Sequence, residues 1–245
     1  MTETQFDYNL AFSRNLGWVT PEEQENLRKV KIAIPGLGGV GGHHLHNFLR
    51  LGVEKFHIAD LDTFELPNFN RQLGATFQSI GRSKTEAMEE FAYNINPNCQ
   101  IQLFSDGVQL NNIRQFLEGV DLLVDTLDLY AMPTRIALYK ISHELRIPMV
   151  TAGPFGMGTS VMAFHPDRLG FTDYFNLNDP DLSIEEAIAR FLVGITPPFF
   201  IKKGAYLVWK EGFDLWQKKL PSLNIGCDAA AAALGSVALK ILLKR

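Results

Sequence analysis

Four glycines, Gly36, Gly38, Gly39 and Gly41, follow a short β-branched run and precede a helical pattern. The order is strand, tight turn, helix. Glycine permits the sharp turn and lets a phosphate approach the backbone, and Gly41 allows the helix to pack closely on the strand. A phosphate at such a turn meets free backbone N–H groups and the positive end of the helix dipole. The stretch therefore predicts a nucleotide-binding turn.

Acidic and amide side chains follow the next predicted strand, 56–60. Asp60 ends it about twenty residues after the glycines, a position suited to binding a ribose hydroxyl. The loop beyond it lies where open α/β sheets bind ligands, and its candidate ligand residues are Asp62, Asn68, Asn70, Arg71 and Gln72. Arg71 offers phosphate oxygens a planar, permanently charged fork. For Asn68 and Asn70 the alternative is ordinary turn chemistry.

Two more charged positions lie at predicted element boundaries. Lys84 falls in the first turn of a helix predicted from Ser83 to about Asn94. The helix dipole disfavours a cation there, as expected for a lysine that binds an anion. Residues 121–128 form a buried-type strand with carboxylates at both ends. Of these we interpret Asp125 as structural and Asp128 as a candidate ligand.

Length and composition indicate one ordinary globular domain. The chain has 245 residues, 46% hydrophobic and 20% charged, with a formal net charge of −4, which gives no electrostatic case for nucleic acid. Two cysteines build neither a disulfide framework nor a four-cysteine zinc site. We see no secretory signal and no apolar stretch of membrane-spanning length. We therefore expect a cytoplasmic protein without a membrane partner.

Strands alternate with helices up to about residue 150, which predicts a Rossmann-like, mostly parallel α/β sheet with helices on both faces. We divide the single domain into four parts: an N-terminal arm (1–29), a nucleotide-binding core (30–164), a crossover and specificity segment (165–220) and a C-terminal helix (221–245). The crossover segment is long and rich in aromatic residues, and insertions of this kind are often functional.

The combination of these motifs resembles the adenylation domain of the ThiF/MoeB group, the bacterial relatives of ubiquitin-activating enzymes. The resemblance covers residues 14–164, and more weakly the alanine-rich helix that follows Pro221. It implies ATP-dependent activation of a carboxylate, often the C-terminus of a small carrier protein or peptide, with release of pyrophosphate. It implies ATP and Mg²⁺ as cofactors, a homodimer, and no zinc because the paired cysteines of many relatives are missing.

The resemblance also implies roles for individual residues. The glycine turn and Asp60 would hold the nucleotide, and Asn70, Arg71 and Lys84 would stabilise charge on the phosphates. Asp128 would bind Mg²⁺. Arg14 matches an arginine that reaches the neighbouring subunit's ATP site. The catalytic candidates are therefore Arg14, Arg71, Lys84 and Asp128. The nucleotide-binding candidates are Arg71, Lys84 and Asp128 together with Gly36, Gly38, Gly39, Gly41, Asp60, Asp62, Asn68, Asn70 and Gln72.

Departures from the family pattern leave alternatives open. The crossover segment has no cysteine to carry a thioester, and Leu129 stands where relatives usually have asparagine. Cys227 precedes a helix, where a thiol can be acidified, although free cysteine is more often a buried apolar residue. His43 and His46 could share a helix face as metal ligands. The alternative functions are an NAD- or FAD-dependent oxidoreductase and a scaffold that has lost turnover.

Overall fold

A six-stranded sheet forms the centre of the chain. In the computed structural model, which describes residues 5–197, 208–212, 214–218 and 220–245, the strands are β1 (Lys31–Pro35), β2 (Lys55–Ala59), β3 (Gln100–Phe104), β4 (Leu122–Asp125), β5 (Met149–Phe155) and β6 (Gly158–Phe164). Their order is β3-β2-β1-β4-β5-β6. All neighbours pair in parallel except β6, which runs antiparallel to β5. The strand order reverses between β1 and β4, which opens a ligand crevice at their carboxyl ends.

Helices cover both faces of this sheet, as predicted. They are α1 (Tyr8–Ala11), α2 (Pro21–Lys29), α3 (Gly41–Arg50), α4 (Lys84–Tyr93), α5 (Ile113–Phe116), α6 (Met132–Glu144), α7 (Phe171–Tyr174), α8 (Ile184–Ile195) and α9 (Asn224–Leu242). One buried cluster joins Ala33 and Leu123 to α5, α6, α7 and α8. The other joins Ile32 and Val124 to α3, α4 and α9. Successive strand residues therefore point to opposite cores, which explains why residues 32–34 of β1 and residues 122–124 of β4 are all apolar.

The predicted elements agree with the structure except near some boundaries. The predicted strand 56–60 is observed at Lys55–Ala59, and α9 runs from Asn224 to Leu242, inside the predicted C-terminal helix of 221–245. Residues 1–4 of the predicted arm and residues 198–207, 213 and 219 of the predicted crossover segment lie outside the described residues. The division of the chain into one domain with four parts remains a prediction.

Helix α9 is longer than the sequence analysis expected of any apolar stretch. Its nineteen residues are long and apolar enough to cross a bilayer, and 39% of its most apolar 18-residue stretch is buried. It also packs on β5, β6 and α3, and a core helix of a soluble protein can have the same length and composition. The helix is therefore weak evidence for a membrane segment.

The N-terminal arm packs beside the far end of α3. The Tyr8 hydroxyl donates to the carbonyl of Gly52 at 2.8 Å, and the Asn15 amide lies within 3.5 Å of the carbonyl of Arg50. Helix α2 begins with a capping box between Thr20 and Glu23. Tyr8 and Phe12 are buried at this contact, whereas Leu10 and Trp18 of the same arm are exposed.

His44 in α3 makes the stability of this fold depend on pH. It is fully buried, neither ring nitrogen has a partner among the described residues, and burial lowers its pKa to about 3. The ordinary pKa of histidine is about 6.5. When the pH falls below this value, His44 binds a proton in the unfolded chain but not in the folded chain. Its contribution to stability is therefore complete above pH 6.5 and is lost progressively as the pH falls towards 3. The free energy of unfolding should fall by about 2 kcal/mol between pH 7 and pH 5 from this group.

Urea unfolding at both pH values tests this prediction. Between pH 7 and pH 5 the His44→Leu variant should lose about 2 kcal/mol less stability than the wild type, because leucine takes up no proton. His143→Gln is the control, since His143 is exposed on α6. Equal losses in the wild type and His44→Leu would show that His44 is not responsible.

Candidate functional site

The candidate site is built around the glycine-rich turn that follows β1. Gly36 has a φ of +144°, and a Cβ on it would lie 2.6 Å from the carbonyl oxygen of Thr126. A Cβ on Gly41 would lie 1.8 Å from the carbonyl oxygen of Gly36. The Thr126 hydroxyl donates to that same oxygen at 2.8 Å. These two glycines therefore allow the turn to close on itself and to contact the end of β4.

Asp60 at the end of β2 supports the next residue of the turn. One carboxylate oxygen accepts the N–H of Leu37 at 2.7 Å, and the other accepts the N–H of Asp62 at 2.9 Å. Each oxygen has a further lone pair that a ribose hydroxyl can use. Asp60 therefore lies at the glycine-rich turn and shapes it, and its binding of a ribose hydroxyl remains a prediction.

Lys84 lies beside these carboxylates. Its ammonium is almost fully buried and lies 3.0 Å from Asp62 Oδ2 and 3.8 Å from Asp60 Oδ1. This pairing explains how a cation is tolerated in the first turn of α4. Lys84 therefore anchors both aspartates at the edge of the site.

Arg71 and Gln72 face the middle of the glycine-rich turn. Arg71 Nε lies 3.8 Å from the position of a Cβ on Gly39, and Gln72 Nε2 lies 3.8 Å from that of a Cβ on Gly38. Arg71 Nη1 donates to the carbonyl of Pro67 at 3.1 Å. Gln72 is buried, and its Oε1 has no partner among the described residues. An arginine fork and an unsatisfied buried amide oxygen thus border the predicted phosphate site.

Asn68 and Asn70, the two asparagines of the loop that follows β2, make different contacts. The Asn68 side chain accepts the N–H of Glu65 at 3.0 Å, which is the turn chemistry considered above. Asn70 accepts from Arg71 Nη1 at 2.9 Å and donates to the carbonyl of Ser222 at 2.8 Å. Asn70 therefore orients the arginine and ties its loop to the segment before α9.

Asp128 lies on the loop that follows β4, two residues after Thr126. Its Oδ1 accepts the N–H of Tyr130 at 2.9 Å, and no described residue donates to Oδ2. The side chain is exposed, so a carboxylate oxygen is available at the crevice. Leu129 instead packs against the core formed by α6 and its neighbours. Leu129 thus makes a core contact at the position where the resemblance leads us to expect asparagine.

Arg135 holds the loop that carries Asp128 in place through buried contacts. Its Nε donates to Asp125 Oδ2 at 2.9 Å in an ion pair whose side chains are at most 4% exposed. Its other nitrogens donate to the carbonyls of Leu127 and Asp128. Burial raises the pKa of Tyr139 well above its ordinary value, so its hydroxyl stays protonated and donates to Asp125 at 3.2 Å. The structural interpretation of Asp125 agrees with these contacts.

The roles of Thr126 and Arg135 are not among those that the sequence predicts. For Arg135 the available signal was its place in the first turn of the helix that follows the apolar strand ending in Asp125. If both side chains are buried, their charges must be paired. Thr126 carried no comparable signal, because its contact with Gly36 depends on the turn geometry.

Arg14 lies far from the glycine-rich turn of its own chain. It is exposed in a short 3₁₀ helix, Ser13–Asn15, which contacts the C-terminal end of α3. The glycine-rich turn lies at the N-terminal end of α3. The two ends of α3 are about 15 Å apart, because an α-helix rises 1.5 Å per residue. Arg14 therefore does not join the site within one chain, and its predicted role in a neighbouring subunit remains a prediction.

The two histidines considered as metal ligands have separate partners. His43 lies between the carbonyl oxygen of Arg71 and the carboxylate of Asp228. His46 accepts from Arg50 Nε at 3.2 Å. No three His, Cys, Asp or Glu side chains form a metal-binding group in the described part of the chain. The contacts of His43 and His46 thus account for both side chains without a shared metal.

Cys227 lies next to the site but in an environment that disfavours the thiolate. Its sulfur lies 3.5 Å from the position of a Cβ on Gly39. Burial raises the pKa of Cys227, despite the opposing influence of Ser222 and Arg71. Burial likewise raises the pKa of Cys99 to about 12. These shifts argue against Cys227 as a nucleophile.

We expect both thiols to react with iodoacetamide at pH 8 at least about tenfold more slowly in the folded protein than in urea, because little thiolate forms. Mass spectrometry of the labelled protein at successive times measures both rates. Rapid labelling of Cys227 in the folded state would restore the nucleophile interpretation.

A family model described as the ThiF family matches residues 12–245. The chain belongs to the ThiF family. The resemblance stated above is thereby confirmed, and with it the prediction of an ATP-using adenylating enzyme at the level of the family. The oxidoreductase alternative would leave Arg71, Lys84 and Asp128 without a role, and family membership does not support it.

Several relatives of known function are similar in sequence. A tRNA threonylcarbamoyladenosine dehydratase from Bacillus subtilis is 30% identical over 220 residues, which cover 89% of this chain and 82% of that protein. The Haemophilus influenzae protein of the same name is 30% identical over 70% of this chain and 64% of its own length, just under two thirds. A sulfur carrier protein adenylyltransferase from Thermus thermophilus is 26% identical over 62% of this chain and 55% of that protein.

Solved structures show the same fold. The Escherichia coli tRNA N6-threonylcarbamoyladenosine dehydratase in complex with ATP has a TM-score of 0.67 and 20% identity, over 96% of this chain and 95% of that one. Escherichia coli MccB with ATP has a TM-score of 0.68 and 18% identity, over 99% of this chain and 65% of that one. The predicted Rossmann-like, mostly parallel fold is confirmed.

Proposed function

We propose that the chain activates the carboxylate of a peptide or small carrier protein as an acyl-adenylate, at the expense of ATP. A carboxylate oxygen attacks the α-phosphorus, the bond to the bridging oxygen breaks, and pyrophosphate leaves with its electron pair. The attacking group is already ionised near neutral pH, so no general base is needed. The observation that carries the proposal is the convergence of Asp60, Gln72, Arg71 and Thr126 on successive parts of one glycine-rich turn.

The residues present fit ATP. The turn offers a backbone cradle beside Gly38 and Gly39, bordered by the Arg71 fork and by the unsatisfied Oε1 of Gln72. Asp60 has lone pairs left for a ribose hydroxyl. Arg71 is the charged side chain best placed to stabilise negative charge on the phosphates, since no carboxylate pairs with it among the described residues. Nucleotidyl transfer depends mainly on such positioning and charge neutralisation.

The residues present also fit Mg²⁺. Asp128 presents one free carboxylate oxygen at the crevice, and Mg²⁺ is usually bound by one or two carboxylates together with substrate phosphates. When bound, the ion would neutralise phosphate charge. Arg135 holds the backbone carbonyls of Leu127 and Asp128 and thereby fixes the direction of the carboxylate.

A peptide or carrier protein is the substrate class that the surface favours. The loop of residues 61–80 beside the site exposes Leu61, Leu66, Phe69, Phe77 and Ile80. The basic residues that follow are paired, Arg82 with Glu90 and Lys84 with Asp62. An apolar rim with neutralised cations suits a polypeptide better than a phosphodiester backbone. A tRNA is the second candidate, because the Bacillus subtilis relative is a tRNA-modifying dehydratase that aligns with 89% of the chain.

A pyrophosphate-exchange assay separates these candidates. Peptides or carrier proteins with a free C-terminus should support ATP–pyrophosphate exchange, and the Arg71→Ala variant should not. Asp167→Asn is the matched control, because Asp167 is exposed and follows β6 at the opposite edge of the sheet. Exchange with tRNA alone would favour the second candidate. Absence of ATP binding in the wild type would favour the scaffold.

We further propose a homodimer in which Arg14 completes the ATP site of the neighbouring subunit. The arm around Arg14 exposes Trp18 at 85% and Leu10 at 73%, which is unusual unless a partner covers them. Arg14→Ala and Arg71→Ala should each be inactive alone. Refolded together at equal concentrations, they should recover about a quarter of the wild-type activity, because half of the sites in mixed dimers are intact. Recovery of no activity would contradict shared sites.

A further inference from the structure

His43 connects the two segments that border the glycine-rich turn. It lies in the first turn of α3 and is 5% exposed. Its Nε2 lies 3.0 Å from the carbonyl oxygen of Arg71, and its Nδ1 lies 2.8 Å from Asp228 Oδ1. The ring therefore joins the backbone of the Arg71 loop to the start of α9.

Both partners of His43 are hydrogen-bond acceptors. A carbonyl and a carboxylate have no hydrogen to give, so the ring supplies the N–H of a hydrogen bond to either of them. A side chain that carries an N–H group is therefore required at this position. A side chain of similar volume without donors leaves the carbonyl of Arg71 and the carboxylate of Asp228 facing an apolar group.

Two further contacts join the same segments. The Asn70 amide donates to the carbonyl of Ser222 at 2.8 Å. Asp228 accepts from Asn224 Nδ2 at 2.7 Å through its second oxygen, which fixes the carboxylate on α9. The segment that begins at Ser222 directly follows the crossover segment along the chain. Asn70 and His43 therefore both connect the Arg71 loop to the part of the chain between Ser222 and Asp228.

We propose that His43 and Asp228 form a polar latch that holds the Arg71 loop in its ATP-binding position. The latch makes ATP affinity depend on the docking of the first turn of α9. His43 and Asp228 are positioning residues, because they contact the backbone of Arg71 and not the phosphates. The proposal rests on the proposed role of Arg71 in ATP binding.

Calorimetric titration with a non-hydrolysable ATP analogue and Mg²⁺ tests the latch. His43→Leu and Asp228→Ala should each weaken binding about tenfold, as expected for loss of a charge-assisted hydrogen bond. The double variant should bind no more weakly than the weaker single variant, because both changes open the same latch. His43→Gln should recover most of the affinity, since its amide group donates. His46→Leu is the matched control on the same helix.

The melting temperature separates positioning from folding. Asp228 is 58% exposed, so Asp228→Ala should keep the wild-type melting temperature while its affinity falls. Wild-type affinity in both single variants, or additive losses in the double variant, would overturn the latch alone. Failure of the wild type to bind the analogue would overturn the proposed function and the latch together.

Discussion

Replacing Asp128 by alanine should abolish the Mg²⁺ dependence of ATP binding and lower acyl-adenylate formation by about 10²- to 10³-fold. Losses of this size are measured when one preorganised group that stabilises transition-state charge is removed. The free Oδ2 of Asp128 is the carboxylate oxygen at the end of β4 that no described residue uses. Asp125, three residues before it, is committed to Arg135 and Tyr139 and cannot replace it.

The Mg²⁺ dependence of ATP binding can be measured without knowing the carboxylate substrate. Titrations of the ATP analogue with and without Mg²⁺ give two affinities for each protein, and their ratio should be large in the wild type and near one in Asp128→Ala. Asp167→Asn should keep the wild-type ratio, since that aspartate pairs with Arg146 at the other edge of the sheet. A ratio in Asp128→Ala equal to that of the wild type would remove Asp128 from the metal site.

The sequence predicted the glycine-rich turn at the centre of this site because its signals are local. Glycines between a β-branched run and a helical pattern specify strand, turn and helix from neighbouring residues alone. Asp60 and Asp128 follow predicted strands, and parallel strands bring their carboxyl ends to one edge of a sheet. Their convergence therefore needed only the order of the strands.

The connections that fix the site could not be predicted in the same way. His43 and Asp228 are far apart along the chain, and their contact depends on how α9 packs on α3. The pairing of Arg135 with Asp125 required knowledge that both are buried. Arg14 remains a prediction, because its proposed contacts lie in another subunit. Local patterns thus predicted the binding groups, whereas tertiary packing determines the residues that hold them.

Replacing Gly41 by alanine should prevent the nucleotide-binding turn from forming. A Cβ at this position would lie 1.8 Å from the carbonyl oxygen of Gly36 and 3.6 Å from Thr126 Cβ. The clash is with backbone, which no side-chain rotation relieves, so we expect a loss of more than about 3 kcal/mol in the free energy of unfolding, beyond ordinary overpacking. Gly38→Ala is the matched control, because the nearest atom, Gln72 Nε2, would be 3.8 Å away. Thermal and urea unfolding should therefore place Gly38→Ala near the wild type and Gly41→Ala far below it. Equal stability of the two variants would mean that α3 can shift away from β1, and that Gly41 is not required for their close packing.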